Sequence, residues 1–371
     1  MARSGLSGRL SRIREAEKRK GDRRPIADGD AAKSTPPGAR KPSSNPDDGA
    51  ASSRLLGWTE IAEDLFERES VHAIEGYRDI LSPHFPVLFP RERESLSSFA
   101  GMTGSARSLP RRMTFFDLET TGLSHGAGTV AFMAGLARFE DEGTITVRQL
   151  MMADYTGEQA FLGRFAELVG SGDALVSFNG KCFDSQILKT RYLMNGMRPR
   201  FLSAATIHLD LLFPARRLWK RDIGSCRMTD IETGILGIAR HDDLPGSEAP
   251  EAWFSFLREG RAERLLAVGD HNREDTVSLA RILFALDEAI DRGTGRAALV
   301  RALDHRSRGE YAESARFLEP LADEGDPVAQ RLLAIDSERR LGDLDRALAL
   351  ARALNDESRV ARVARKLEAR R

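Results

Sequence analysis

The sequence predicts an α/β fold, a mixed sheet flanked by helices, followed by an all-α C-terminal region. Three observations predict it. Between residues 112 and 195, strand-like and helix-like apolar patterns alternate in the order βββαβα. From 208 to 292 helical periodicity takes over. From 294 to 371 the chain is rich in Ala, Leu and Arg and repeats itself at a period of 33. With 371 residues, 41% of them hydrophobic, the chain can bury one mid-sized core and carry an accessory domain.

In chain order, residues 1–53 come first, poor in aromatics and rich in Arg, Ser, Gly, Pro and Asp. Such a segment buries too little apolar surface to offset its ordering entropy, so a disordered tail is expected. It holds 12 Lys and Arg against 7 Asp and Glu, although the whole chain has a formal charge of zero. Within it, Leu6, Leu10 and Ile13 recur at helical spacing among basic residues. A solvated tail and a short amphipathic basic helix both fit that stretch. The N-terminus lacks the apolar run of a secretory signal, and no stretch approaches the ~20 apolar residues of a membrane span. Two cysteines, Cys182 and Cys226, form neither a disulfide framework nor a zinc motif. A cytoplasmic protein is expected.

Residues 54–111 read as a lead-in region packing on the α/β domain, with a helix over 56–66 and an extended stretch at 84–90, where prolines disfavour helix. RMTFFDLE (112–119) is a strand, followed by strands over 128–140 and 144–153. EQAFLGRFAELVG (158–170) is a helix with Phe161, Phe165 and Leu168 on one face. ALVSFNG (174–180) is a strand and CFDSQILKTRYLMN (182–195) a helix. Three antiparallel strands followed by strand–helix units parallel to the first make an RNase H-like fold, here spanning 112–293. Helices are expected over 208–240, 250–266 and 268–292. In the last region GEYAESARFLEPLA (309–322) aligns with GDLDRALALARALN (342–355), placing Ser314 opposite Ala347. The period is close to the ~34 residues of tetratricopeptide repeats, and an ordinary pair of helical hairpins would also produce it.

The chemistry-bearing residues fall at three places. Asp117 and Glu119 alternate along the first strand, so they share a face about 6–7 Å apart. Carboxylates beside Phe115, Phe116 and Leu118 call for compensation, and an oxygen-seeking cation such as Mg²⁺ or Mn²⁺ supplies it. Exposed acids at a strand end are the plain alternative. Thr120, Thr121, Gly122 and Leu123 come next, offering backbone amides and a glycine to grip a nucleotide terminus. In SFNGKCFD (177–184) a strand ends in an Asn179–Gly180 turn and delivers Asp184 to the next helix. Lys181 there could meet a phosphate. In HNRED (271–275), His271 and Asp275 share a helix face at i, i+4. Four acids so arranged suit two-metal phosphodiester hydrolysis, with His271 as general base.

FFDLETTGL, FNGKCFD and HNRED, in this order and on these elements, resemble the three exonuclease motifs of the DnaQ-like (DEDD) exonucleases. Within that superfamily the chain resembles the bacterial YprB-type RNase H-like exonucleases, the mitomycin-repair exonuclease group. GAGTVAFMAGL (126–136), VRQLMMADYTGE (147–158) and the long stretch 208–246 share in the resemblance, which runs from about 54 to 293. It implies a 3′→5′ exonuclease of a DNA-repair type, with DNA favoured over RNA and a DEAD/DEAH-like helicase as a partner. Asp117, Glu119, Asp184 and Asp275 would hold two ions, Mg²⁺ or Mn²⁺. In one respect the chain departs from the His-type pattern. His271 and Asp275 are separated by three residues, the spacing of the Tyr-type branch, not four.

Other residues invite weaker readings. Arg216, Arg217, Lys220 and Arg221 form a basic cluster that would track a phosphate backbone or simply coat a helix. His208 and Asp210 alternate and would face the cleft or hold structure together. Asp242 and Asp243 read as turn chemistry, and Cys182 as a small packing residue. Three other readings remain open on sequence alone: an RNase H-like endonuclease or ribonuclease, a nucleic-acid-binding scaffold recruiting a protein through its C-terminal repeats, and an enzyme acting on small oligonucleotides or nucleotides.

Overall fold

Among the described residues seven strands form one mixed sheet. The computed structural model describes residues 55–101, 109–122, 128–170, 174–240 and 244–370; the expected tail, Leu123, Asp242 and Asp243 lie outside them. The strands are β1 (Thr59–Ala62), β2 (Leu65–Ala73), β3 (Met113–Thr120), β4 (Ala131–Asp141), β5 (Thr144–Met152), β6 (Ala174–Ser177) and β7 (His208–Asp210). Across the sheet their order is β1-β2-β5-β4-β3-β6-β7. β3, β4 and β5 make the expected antiparallel meander, and β6 lies parallel to β3 and β7 parallel to β6. The RNase H-like arrangement read from the sequence is present.

The lead-in region differs from expectation. Residues 56–66 form no helix but β1 and the start of β2, joined through Asp64 in the left-handed region (φ 56°). Glu and Ala favour helices locally, yet β2 pairs with β5 along its whole length, from Leu65–Met152 to Ala73–Thr144. Sheet pairing and the burial of Leu65 and Phe66 override a propensity worth only a few tenths of a kcal/mol per residue. The stretch at 84–90 is not extended. It holds a 3₁₀ turn, Phe85–Leu88, in which Pro86 occupies an opening position where a missing N–H costs nothing.

Helices α1 (Arg93–Gly101), α2 (Glu158–Val169), α3 (Asp184–Met194), α4 (Leu212–Ile223), α5 (Met228–Ile231), α6 (Ala249–Glu259) and α7 (Glu263–Arg292) accompany the sheet. The single helical stretch expected over 208–240 is corrected. It opens as strand β7, and Gly224 (φ 74°) ends α4 before α5 begins. α5 runs into a π turn, Glu232–Leu236. The division near 267 also moves, because Gly260 in the left-handed region ends α6 and α7 then runs unbroken.

Alternation along β3 sorts the core. Phe115 packs with Val147, Val176 and the α7 residues Val277, Leu279 and Ile282. Phe116 and Leu118 face the other way, with Phe161, Phe165 and Trp253 from α2 and α6. Each large side chain so buried contributes about 1.5–3 kcal/mol. Asp117 and Glu119 therefore lie on the α7 side of the sheet.

Beyond α7 the chain is helical throughout, with α8 (Gly295–Ser307), α9 (Tyr311–Asp323), α10 (Pro327–Asp336), α11 (Leu344–Ala353) and α12 (Glu357–Glu368). Each packs on the next. The repeated segments open α9 and α11, and Ser314 and Ala347, matched at the 33-residue period, are both fully buried. Among the described residues no helix is long and apolar enough to cross a membrane.

Candidate active site

Three glycine-dependent features bring the acids together. Gly135 on β4 pairs with Asp117 on β3. A Cβ at 135 would sit 2.1 Å from Thr276 Oγ1 and 2.7 Å from Asn272 Oδ1, so only glycine admits α7 this close to the sheet. Gly180 plays the same part at the end of β6, where a Cβ would lie 2.9 Å from Asp184 Oδ2. Its neighbour Asn179 takes φ 66°, and the turn closes with Ser185 N–H donating to Gly180 O at 2.8 Å. Gly269 lets α7 settle against Trp58, whose Cζ2 a Cβ would meet at 2.9 Å.

The acids repel one another. Burial first, then the charges of Asp275, Glu119 and Asp184, pushes Asp117 well above the usual carboxylate range, with Asn272 opposing. Burial and the nearby Asp210 raise Asp184 to about 7. Burial also raises Asp275, against the pull of His271 and Arg240. Such a set is stable only with compensating positive charge.

Part of that charge is a guanidinium. Arg240 Nη2 lies 2.5 Å from Asp275 Oδ1 and 2.5 Å from Glu232 Oε1, and Ser278 Oγ also donates to Glu232. His271 stands beside this group, Nε2 3.7 Å from Asp275 Oδ2 and Nδ1 3.4 Å from Arg240 Nη1. Behind Asp117, Asn272 Nδ2 donates to its Oδ2 at 3.0 Å, and Gln149 Nε2 donates to Asn272 Oδ1 at 3.0 Å.

Among the described residues no three His, Cys, Asp or Glu side chains surround a point that would hold a metal ion. Asp275 turns to Arg240 and Asp117 to Asn272 instead. By donor type the four carboxylates fit a hard divalent cation, since all are oxygen ligands whose mutual repulsion such an ion would relieve. Closing around one requires carboxylate rotation and withdrawal of Arg240.

The remaining expected residues have other partners. Thr120 Oγ1 donates to Gly122 O, and Thr121 exchanges hydrogen bonds with Val130, so both threonines shape the turn after β3. Lys181 pairs with Glu92 of the lead-in region. Beside it a cavity of about 360 Å³ is lined by Arg91, Lys181, Lys189, Ser185 and His208. Asn179 is exposed, its backbone N–H held by Asp210. Arg217 and Lys220 are exposed on α4, where Arg217 reaches Val87 O at 3.4 Å and Arg221 pairs with Asp326. Their helix faces the lead-in and C-terminal helices.

His208 and Asp210 hold structure. Asp210 accepts from the backbone amides of Asn179, Lys181 and Leu212. His208 bonds Ser177 and Ser185, and burial, with Lys181 and Lys189 nearby, lowers it to about 3. Cys182, expected to pack inside, is exposed on the outside of the turn. Sequence reasoning missed Arg240, Glu232, Asn272 and Gln149. Asn272 stands inside HNRED, and Gln149 is a polar residue in the middle of an apolar strand, a signal that was readable. Nothing local marks Arg240 and Glu232.

Residues 114–286 match the family model described as RNase_H superfamily. This stretch has an RNase H-like fold. The matched stretch begins inside β3 and ends inside α7, so β1 and β2 precede it and the C-terminal helices come after it. The chain is 37% identical over 178 residues to the uncharacterized protein YprB of Bacillus subtilis, taking in 47% of this chain and 42% of YprB. It thus spans less than half the length of that relative. A family B DNA polymerase from Pyrobaculum calidifontis is similar at 13% identity and TM-score 0.39, over 55% of this chain and 30% of the polymerase. Escherichia coli exonuclease I in complex with a dT13 oligonucleotide is similar at 18% identity and TM-score 0.30, over 42% of each chain. Likenesses this remote assign neither a substrate nor a direction of cleavage.

Proposed function

We propose that the protein is a metal-dependent nuclease removing nucleotides from the 3′ end of nucleic acid, with DNA its favoured substrate and DNA repair its setting. The gathering of Asp117, Glu119, Asp184 and Asp275, close enough that three of them raise the fourth, carries this reading. The RNase H-superfamily match supports it, and the resemblance of the three motifs to DEDD exonucleases supports the 3′→5′ direction.

In this reading the four acids hold two ions, Mg²⁺ or Mn²⁺. Such ions would lower the pKa of the attacking water and offset charge on the departing 3′-oxygen. His271, beside Asp275, takes the water's proton once Arg240 has withdrawn from its ring. The turn through Thr120, Thr121 and Gly122 receives the terminal nucleotide, a role the sequence pattern extends to Leu123. Lys181 and the cationic cavity beside it attract the strand behind it, as do Asn179, Arg217 and Lys220. The tetratricopeptide-like helices recruit a protein, a DEAD/DEAH-like helicase being one candidate, in the cytoplasm.

The test uses purified full chain with Mg²⁺, Mn²⁺ or chelator on matched 5′-labelled DNA and RNA. The expected result is a ladder shortening from the 3′ end, absent with chelator and from a 3′-blocked end. Cleavage of a circular single strand would overturn the exonuclease reading in favour of an endonuclease.

A further inference from the structure

Asp117 stands at the end of a line of three buried or half-buried side chains that begins outside the RNase H-like domain. Arg68, on β2, donates from Nε and Nη2 to Gln149 Oε1 at 3.0 and 2.8 Å. Gln149, 1% exposed on β5, donates from Nε2 to Asn272 Oδ1 at 3.0 Å and to Gly269 O at 2.7 Å. Asn272, fully buried on α7, donates from Nδ2 to Asp117 Oδ2 at 3.0 Å. Arg68 is itself fixed by Asp270 at 3.1 Å and by Trp58, whose ring centroid lies 4.7 Å from the guanidinium carbon.

The line has a direction. Arginine has donors and no acceptor, so Gln149 must turn its oxygen to Arg68 and its amide nitrogen to Asn272. Asn272 must then offer its oxygen to Gln149 and its nitrogen to Asp117. A carboxamide alone could present either end, and the guanidinium at the head of the line removes that choice. We infer that Arg68, Gln149 and Asn272 act as positioning residues that engage Oδ2 of Asp117 with a donor and leave its other oxygen to a divalent cation. The inference rests on the metal-site reading of the previous subsection. It also gives β1 and β2, which precede the family match, a part in the site.

The decisive variant is Gln149→Glu, nearly the same shape with no donor. Two carbonyl-type oxygens would then face each other at Asn272, so Asn272 turns over and presents its oxygen to Asp117. Mn²⁺ binding by the full chain, read by electron paramagnetic resonance of free Mn²⁺ together with thermal unfolding, should weaken about 10–100-fold in Gln149→Glu. Arg68→Met, at the partly exposed end, should weaken binding several-fold, and Arg68→Lys, which keeps a donor-only group, should restore most of it. Should Gln149→Glu fail to fold, the Met-against-Lys difference at 68 decides the matter. Tight Mn²⁺ uptake by the unaltered chain, matched by a folded Gln149→Glu or by Arg68→Met, would overturn this inference alone. No uptake by the unaltered chain would overturn the metal site and this inference with it.

Discussion

Two charged clusters in this protein solve opposite problems. At the sheet, Asp117, Glu119, Asp184 and Asp275 crowd together, and burial drives Asp117, Asp184 and Asp275 upward in pKa. In the C-terminal helices a lone carboxylate, Glu338, whose side chain is 1% exposed, receives Arg359, Arg362 and Lys366 at 2.8–2.9 Å. Hydrogen bonds from Arg362, against some desolvation, pull it down to about 2. One cluster has too little positive charge and the other a surplus. Excess acid would favour a bound cation, whereas a saturated acid ties α12 to the π turn after α10. Crowded acids that weaken a fold are the signature of a site, and a neutralised acid is the signature of a joint.

That contrast breaks most visibly at Asp117. Asp117→Asn should abolish metal-dependent cleavage while raising the melting temperature of the ion-free protein, because it removes a repelled buried charge. Loss of both activity and stability would place Asp117 among ordinary structural acids. His271→Ala should cost roughly 10²–10⁴ in single-turnover rate with little change in unfolding; near-normal turnover would remove His271 as base.

The two clusters should also part with pH. Asp184 is raised from the ordinary 3.8 to about 7, so the folded state binds its proton more tightly than the unfolded chain. Without divalent ions, stability should therefore fall as pH rises from about 4 to 7, by roughly 2–4 kcal/mol from this group. Saturating Mn²⁺ should flatten that fall. Glu338 has the opposite sign, its contribution complete above its ordinary 4.5 and lost as pH drops toward 2. Calorimetry across pH 3–8, with and without Mn²⁺, reads both, and a Glu338→Gln variant should lose the acid-side contribution. At neutral pH that variant should cost roughly 1–3 kcal/mol, the partly exposed Arg362 and Lys366 screening the rest, and leave cleavage intact. Smallest of all, removing Lys220 by alanine should change the salt slope of DNA binding by at most about one unit, in proportion to one phosphate contact. A larger change would put α4 on the main track of the strand.

The four acids were legible because strand alternation and helical spacing are local. Asp117 and Glu119 fall two apart in an apolar strand, and His271 and Asp275 four apart in a helix. The meander was legible for the same reason. β1 and β2 were not, since TEIAEDLFERE carries helix-favouring residues and becomes strand only as β2 pairs with β5, some 80 residues away in the chain, and β1 with β2. Arg240 and Glu232 were invisible because their charge acquires meaning only when α7 brings Asp275 to them. Directionality in the Arg68–Gln149–Asn272 line likewise exists only in three dimensions. The neutral overall charge concealed both clusters, since an acid surplus in one place cancels a basic surplus in another.

Asn272 and Asp117 meet across 155 positions of chain. A ribosome must therefore pass Asp275, midway along α7, before HNRED can join the two acids of β3. The centre is assembled near the end of synthesis of the RNase H-like domain. Until then a growing chain tethered to its own messenger carries the parts of the proposed nuclease without the assembled tool.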